Sequence, residues 1–339
     1  FLEDSGYMAR AAFLMDRLMH ALGLHGKSFI PMLMGFGCSV PAVMATRTLE
    51  SRRDRILTTL LVPLMSCSAR LPVYVLVAGS FFAEKAGSVV FLVYVVGIVM
   101  AMVMGRLFAR TLFRSTPAPF VMELPPYRLP TAKGLLIHMW ERARVYLKKM
   151  GGVILAASVI LWFLGAFPRN TELVQQYRAD IAGLSAVATE ESVEAAESLQ
   201  AELDARQVEN SYIGRAGKAI YPVVRPLGFT WEMGVSLVTG FIAKEIVVST
   251  LGVLHQAEVG GEGARSLTEA LRDPSRGVTP LAGFAFMLFV LLYTPCIATV
   301  AAIKREVGIG WMWFSIGYQM VLAWLVSFGV YQIGTLAGL

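Results

Sequence analysis

Charge is scarce in this sequence. Only 16% of the 339 residues are Asp, Glu, Lys or Arg, against roughly a quarter in a soluble globular domain. That shortage argues against an ordinary water-soluble enzyme. Cysteine is scarcer still. There are three, an odd number, all inside or beside apolar stretches, which argues against a disulfide framework. The four histidines are scattered at His20, His25, His138 and His255 and show no metal-ligand spacing. Clustered carboxylates and cofactor motifs are missing too, which weighs against a membrane redox enzyme or metalloenzyme built on the thiols. The net charge is +6, yet the basic residues flank apolar blocks instead of lining one face, so no nucleic-acid partner is expected. No signal peptide is visible. The chain opens FLEDSGYMAR, without an initiator Met and already in a helical pattern, and reads as a fragment whose N-terminal portion is missing.

What is abundant is apolar residues, 56% of the chain, with a mean hydropathy of +0.60. They come in blocks. Residues 86–105 carry no charge over twenty positions, about the length a helix needs to cross a hydrocarbon core of roughly 30 Å. Residues 150–168 form a second block and 308–339 a third, the last with Trp311, Trp313 and Trp324 available as interface anchors. The expected fold class is all-α, a polytopic helical membrane protein.

Other apolar stretches are interrupted. After a helix over 5–22, residues 27–48 are broken by Gly35, Gly37 and Pro41. Residues 56–82 are broken by Pro63, Pro72 and the polar run Ser66-Cys67-Ser68-Ala69-Arg70. Residues 231–256 form a third broken region, and 279–303 carries Pro295 and Cys296 near its end. Proline lacks the N–H and glycine weakens the helix ladder. In lipid, broken backbone survives only where protein buries it or it lines a cavity.

The connections differ in charge. Residues 106–149 carry nine Lys or Arg against Glu123 and Glu141 and are expected in the cytoplasm. They hold a Pro-rich loop, PFVMELPPYRLP, and then an interfacial amphipathic helix near 134–149. Residues 169–212 are Ala/Glu-rich and acidic and read as a small helical insert in water on the opposite side. The organisation is thus a first membrane half over 1–112, the loop and interfacial helix over 113–149, a span over 150–168, the insert over 169–212 and a second membrane half over 213–339.

The two halves resemble one another. Gly35-Phe36-Gly37-Cys38-Ser39-Val40 heads an apolar stretch ending Thr48-Leu49, and Gly240-Phe241-Ile242-Ala243-Lys244-Glu245 heads one ending Thr250-Leu251. Each is followed by an apolar segment with a polar break at one cysteine, LLVPLMSCSARLPV and FVLLYTPCIATVAA. Paired interrupted segments in two halves point to a transporter's substrate site.

Cys38, Cys67 and Cys296 are the candidate ligands. Each stands beside a Gly or Pro break or in a polar run, with Ser39, Ser66, Ser68 and Thr294 as neighbours. A dehydrated cation needs thiol, hydroxyl and unpaired carbonyl ligands of that kind. Each cysteine also reads as a small buried hydrophobe. Thiol softness by itself favours Cu(I) or zinc over Fe(II), so these residues specify a transition metal and no more. Lys244 and Glu245 lie in an apolar span, where a charge costs at least a few kcal/mol. They read either as functional groups with separate partners or as structural pairs. Glu3 and Asp4 are oxygen ligands at a vestibule or simply acidic residues at a helix start. Arg70 neutralises a carboxylate or reaches an interface. The methionines near the first breaks read as packing ahead of soft ligands. ALGLHGKS, over 21–28, fits a loose P-loop pattern, but it follows a helix and precedes a membrane segment, so it is set aside.

LEDSGYMARAAFLMDRLM, GFGCSVPAVMATRTLESRRDR, PLMSCSARLPVYV, PFVMELPPYRLP, GFIAKEIVVSTLG and YTPCIAT closely resemble the membrane domain of the ferrous iron transport protein B family, in order from residue 1 to about 302. The resemblance implies two gate regions of the nucleoside-recognition type, around 28–80 and 234–302. It implies Fe(II) as the transported substrate, carried across the bacterial inner membrane along a path lined by Cys38, Cys67 and Cys296. The family's N-terminal GTP-binding domain and regulatory helices do not match anything in this chain, so no GTP site or hydrolysis is assigned to it. The implied partners are membrane lipid, that G domain, small accessory iron-transport proteins and further copies of the chain. A gate-type transporter of nucleosides or another solute is the rival reading. A third is a structural piece without activity of its own.

Overall fold

A computed structural model describes residues 5–21, 23–113, 127, 131–168, 171–185, 190–255, 267–272 and 277–338. Its regular elements are all helical. In chain order they are α1 (Tyr7–Ala21), α2 (Phe29–Gly35), α3 (Ser39–Ala45), α4 (Arg52–Leu61), α5 (Leu71–Phe81), α6 (Ala86–Thr111), α7 (Ala132–Ala166), α8 (Thr171–Ser185), α9 (Glu190–Asn210), α10 (Tyr212–Val224), α11 (Trp231–Ile242), α12 (Ile246–Leu254), α13 (Leu267–Arg272), α14 (Pro280–Leu292), α15 (Ile297–Val307) and α16 (Ile309–Leu336).

Four stretches are long and apolar enough to cross a membrane: Arg52–Phe81, Ala83–Thr111, Pro280–Val307 and Ile309–Leu336. The protein is therefore a multi-pass membrane protein. The four divide by burial. The interrupted stretches Pro280–Val307 and Arg52–Phe81 are 83% and 61% buried, whereas the unbroken Ala83–Thr111 and Ile309–Leu336 are 22% buried. Backbone groups released at a break have no water in lipid to satisfy them, so the broken helices sit inside and the continuous ones face outward.

The chain folds into two compact units, and each draws on both sequence halves. One comprises Phe1–Leu71, Phe91–Leu155 and Leu291–Ala323; the other comprises Pro72–Val90, Ala156–Val290 and Trp324–Leu339. All three cysteines fall in the first unit, and Lys244 and Glu245 fall in the second.

Two expected boundaries move. The interfacial helix near 134–149 and the span 150–168 are one helix, α7, of 35 residues. It is about 52 Å long at 1.5 Å per residue, well beyond a hydrocarbon core. Lys, Arg, Glu and Ala over 141–149 are strong helix formers, and the Gly151-Gly152 pair is carried through unbroken. Pro295 and Cys296 mark the middle of a span, not its end, because α15 continues to Val307. Within 169–212 lie α8 and α9, which pack against each other. The loop PFVMELPPYRLP lies outside the described residues except for Tyr127, as do Glu3 and Asp4.

Candidate functional site

The first break begins where α2 runs out at Gly35. Met34 O accepts from both Gly37 N–H, at 3.0 Å, and Cys38 N–H, at 3.1 Å. Cys38 is extended, with φ −148° and ψ 128°, and α3 starts at the next residue. Pro41 causes no break. It stands in the first turn of α3, where a missing N–H leaves no helix bond unmade. Gly35 serves packing: a Cβ there would lie 3.0 Å from Met65 Cβ and 3.3 Å from Val62 O, which belong to the second break.

The second break follows α4. Pro63 cannot donate to the ladder, the chain tightens into a short 3₁₀ turn over Val62–Leu64, and a second such turn over Ser68–Arg70 leads into α5. Cys67 is extended between the two. The carbonyls released here already have donors. Arg70, 1% exposed, gives Nη1 to Pro63 O at 3.1 Å and to Met65 O at 3.0 Å, and Nη2 to Pro63 O at 3.1 Å. The Tyr318 hydroxyl donates to Leu60 O. Arg70 thus faces carbonyl oxygens, and among the described residues it makes no ion pair with a carboxylate.

The two breaks are tied together. Ser68 donates to Gly37 O from its hydroxyl at 2.9 Å and from its backbone N–H at 3.2 Å. Gly37 precedes Cys38 and Ser68 follows Cys67, so one carbonyl joins the two cysteine segments.

The third break in this unit lies between α14 and α15. Cys296, with φ −58° and ψ 154°, heads α15, and its Sγ lies 3.3 Å from Thr299 Oγ1. Cys38, Cys67 and Cys296 therefore share one local position, the non-helical residue before a helical start, and none of them caps that helix with its side chain. Buried hydroxyls accompany them: Ser39, Ser66, Thr294 and Thr299 are at most 4% exposed. Ser68 is exposed.

In the other unit, α11 ends at Ile242 and α12 begins at Ile246. Ala243 has φ −147° and ψ 128°, within one degree of the Cys38 values, at the position the sequence repeat aligns with Cys38. The repeat extends to backbone conformation at this break. Lys244 and Glu245 occupy the turn and not a helix. Lys244 is 2% exposed, whereas Glu245 is exposed. Across the break, the Thr239 and Thr250 hydroxyls are 3.0 Å apart.

Among the described residues no three His, Cys, Asp or Glu side chains are placed to hold one metal ion. The cysteine segments offer soft sulfur and hydroxyl groups at helical starts. A cavity of about 390 Å³ in the second unit, lined by Glu202, Ala205, Arg206, Glu209, Trp231 and Leu254, is no better a cation site. Glu202 pairs with Arg206 at 2.9 Å and Glu209 with Lys218 at 2.7 Å.

Sequence reasoning missed one contact beside the site. Arg47, which follows α3, pairs with Glu306 near the end of α15 at 2.5 Å, and the Glu306 side chain is 5% exposed. The partners are 259 residues apart, and no spacing rule could have joined them. Glu306 next to Lys304-Arg305, at the end of an apolar span, was the available signal.

These features define a multi-pass helical membrane protein built on a repeated pair of interrupted helices. The chain belongs to the Gate family, described as nucleoside recognition, whose model matches residues 1–81 and 147–310. Residues 90–142 match the model of the ferrous iron transport protein B C terminus. The chain is 53% identical, over 99% of its length, to the Fe(2+) transport protein A/Fe(2+) transporter FeoB fusion protein of Porphyromonas gingivalis, of which it covers 41%. It is 43% identical, over 91% of its length, to the Fe(2+) transporter FeoB of Helicobacter pylori, of which it covers 48%. It is 40% identical, over 99% of its length, to that of Methanocaldococcus jannaschii, of which it covers 46%. The chain thus spans less than half the length of these relatives. No solved structure matches it.

Proposed function

We propose that this chain is the membrane path of a ferrous iron transporter, and that Fe(II) moves past Cys38, Cys67 and Cys296 in the first unit. The observation that carries this reading is the recurrence of one cysteine position, three times, in one compact unit of a protein whose relatives are named Fe(2+) transporters. Thiols and hydroxyls at membrane depth suit a soft or borderline transition metal, and the relatives supply iron. Conduction needs ligands strong enough to replace water and weak enough to release the ion. Three thiols without a closed ligand set fit that need. Arg70 fits it too, because its fixed positive charge beside Cys67 opposes deep trapping of a cation. Lys244 and Glu245, at the equivalent break of the second unit, serve gating or charge pairing. Glu3 and Asp4 form a cation vestibule.

The setting is the bacterial inner membrane, with the basic segment 106–149 in the cytoplasm. Coupling to GTP belongs to the N-terminal G domain implied by the family resemblance, and the transport step itself is not enzymatic. A relative that is by name a fusion with Fe(2+) transport protein A supports a small accessory protein as partner. Association of further copies is part of the same proposal.

Flux in proteoliposomes carrying the intact transporter tests this. Fe(II) influx is expected to saturate, to respond to GTP and to ignore added nucleosides. Uptake of a labelled nucleoside without any Fe(II) influx overturns it.

A further inference from the structure

Helices α3 and α15 pack against one another, and each begins at a cysteine. Arg47 lies nine residues beyond Cys38, and Glu306 ten beyond Cys296. At helical rise, both distances are about 14–15 Å along the axis. The Arg47–Glu306 pair joins the far ends of the two helices. Side-by-side helices joined at their C-terminal ends run in the same direction, so Cys38 and Cys296 stand at the same opposite end. Helix α3 packs on α2 as well as on α15, and at its start Cys38 N–H donates to Met34 O and Ser68 donates to Gly37 O. The helix has seven residues, bounded by the Cys38 break and by a 3₁₀ turn over Thr46–Thr48. Within that turn, Thr46 contacts Thr59 of α4 through a 3.2 Å hydroxyl bond.

From this geometry we infer that Arg47 and Glu306 are positioning residues for the thiol path: their ion pair sets the spacing of Cys38 and Cys296. The inference rests on the proposed thiol path for its functional meaning, though the spacing itself does not. The design is a lever. The pair lies at one end of two parallel helices, one from each sequence repeat, and the ligands lie at the other. Glu306 is the buried partner and Arg47 the half-exposed one. A group that competes for Arg47 from solvent would therefore release α3 from α15 without first opening the core. Within the described residues, Glu50, three residues beyond Arg47, pairs with Lys27 at 2.9 Å, so Glu50 is occupied elsewhere.

Thiol cross-linking tests the spacing directly. With Cys67 replaced by Ser, Cys38 and Cys296 are the remaining thiols of this chain. A short bifunctional maleimide is expected to link them. Arg47→Glu and Glu306→Arg should each lower the yield on the order of tenfold, since each sets two like charges together where the side chain at 306 is buried. The Arg47→Glu/Glu306→Arg double reversal should restore it. Glu306→Gln keeps the side-chain shape and serves if a reversal does not fold. It should lower the yield, and Arg47→Lys should not. Iron influx is read on the same substitutions in the intact transporter with Cys67 present. The apparent KM for Fe(II) is expected to rise in the single reversals and return in the double. A structural strut would lower the melting temperature and leave KM alone. Yields that ignore the single reversals, or that stay low in the double, overturn the inference. Yields that follow the charge pattern while influx does not keep the spacing device and overturn the thiol path.

Discussion

Ser68 donates twice to the carbonyl of Gly37, once from its hydroxyl and once from its backbone N–H. That one oxygen connects the Cys38 and Cys67 segments, which are separated in sequence by α3 and α4. Ser68→Ala removes the hydroxyl bond and leaves the backbone one, so a loss of about 1 kcal/mol is expected. Cross-linking between Cys38 and Cys67 should weaken in the same variant. Denaturation in detergent measures the first effect and maleimide linkage the second.

Arg70 is the larger structural determinant. It satisfies the carbonyls of Pro63 and Met65 from within the core. Arg70→Met leaves both oxygens buried without donors, at about 1–3 kcal/mol each. Arg70→Lys should recover part of that loss, because an ammonium reaches one carbonyl well but cannot bridge two as a guanidinium does. Thermal unfolding of the two variants checks the order.

Close approach at the breaks gives a steric prediction. A Cβ at Gly97 of α6 would stand 3.1 Å from Leu64 O and 3.1 Å from Leu291 Cδ1. Gly97→Val is expected to destabilise by about 1–3 kcal/mol through overpacking, whereas Gly87→Val, with open space around its Cβ, should be nearly neutral. Melting temperatures of the pair decide it.

His25 supplies a pH dependence outside the spans. Its Nδ1 accepts from Lys27 N–H at 3.1 Å, and burial lowers its pKa below the ordinary 6.5. As pH falls through 6.5, the unfolded chain takes up a proton that the folded turn refuses. Stability from this residue is full above 6.5 and is lost on acidification toward the lower folded value. His25→Asn keeps an acceptor without the titration and should flatten that slope in pH-dependent unfolding.

The helical breaks were legible in the sequence because Gly, Pro and short polar runs interrupt apolar blocks for a simple backbone reason. The alignment of Cys38 with Ala243 carried through to matching dihedrals for the same reason. Other features depended on tertiary contact. Arg70 read as a partner for a carboxylate or an interface, but the acceptors it donates to are carbonyls at the Pro63 break. The length of α7 was missed because the charge changes at 150 and Gly151-Gly152 follow, yet the helix runs on unbroken. The pairing of Arg47 with Glu306 has no local signature at all. Nor did the order of motifs reveal that each compact unit combines elements of both halves.

The central claim is that Fe(II) passes the three thiols of the first unit. The direct measurement is Fe(II) influx into proteoliposomes bearing the intact transporter with Cys38, Cys67 and Cys296 all replaced by Ser, set against the unsubstituted protein at equal folded amounts. The thiol path predicts a loss of influx on the order of tenfold or more, as expected when soft ligands are removed from a dehydrated ion. Influx equal to that of the unsubstituted protein would contradict it.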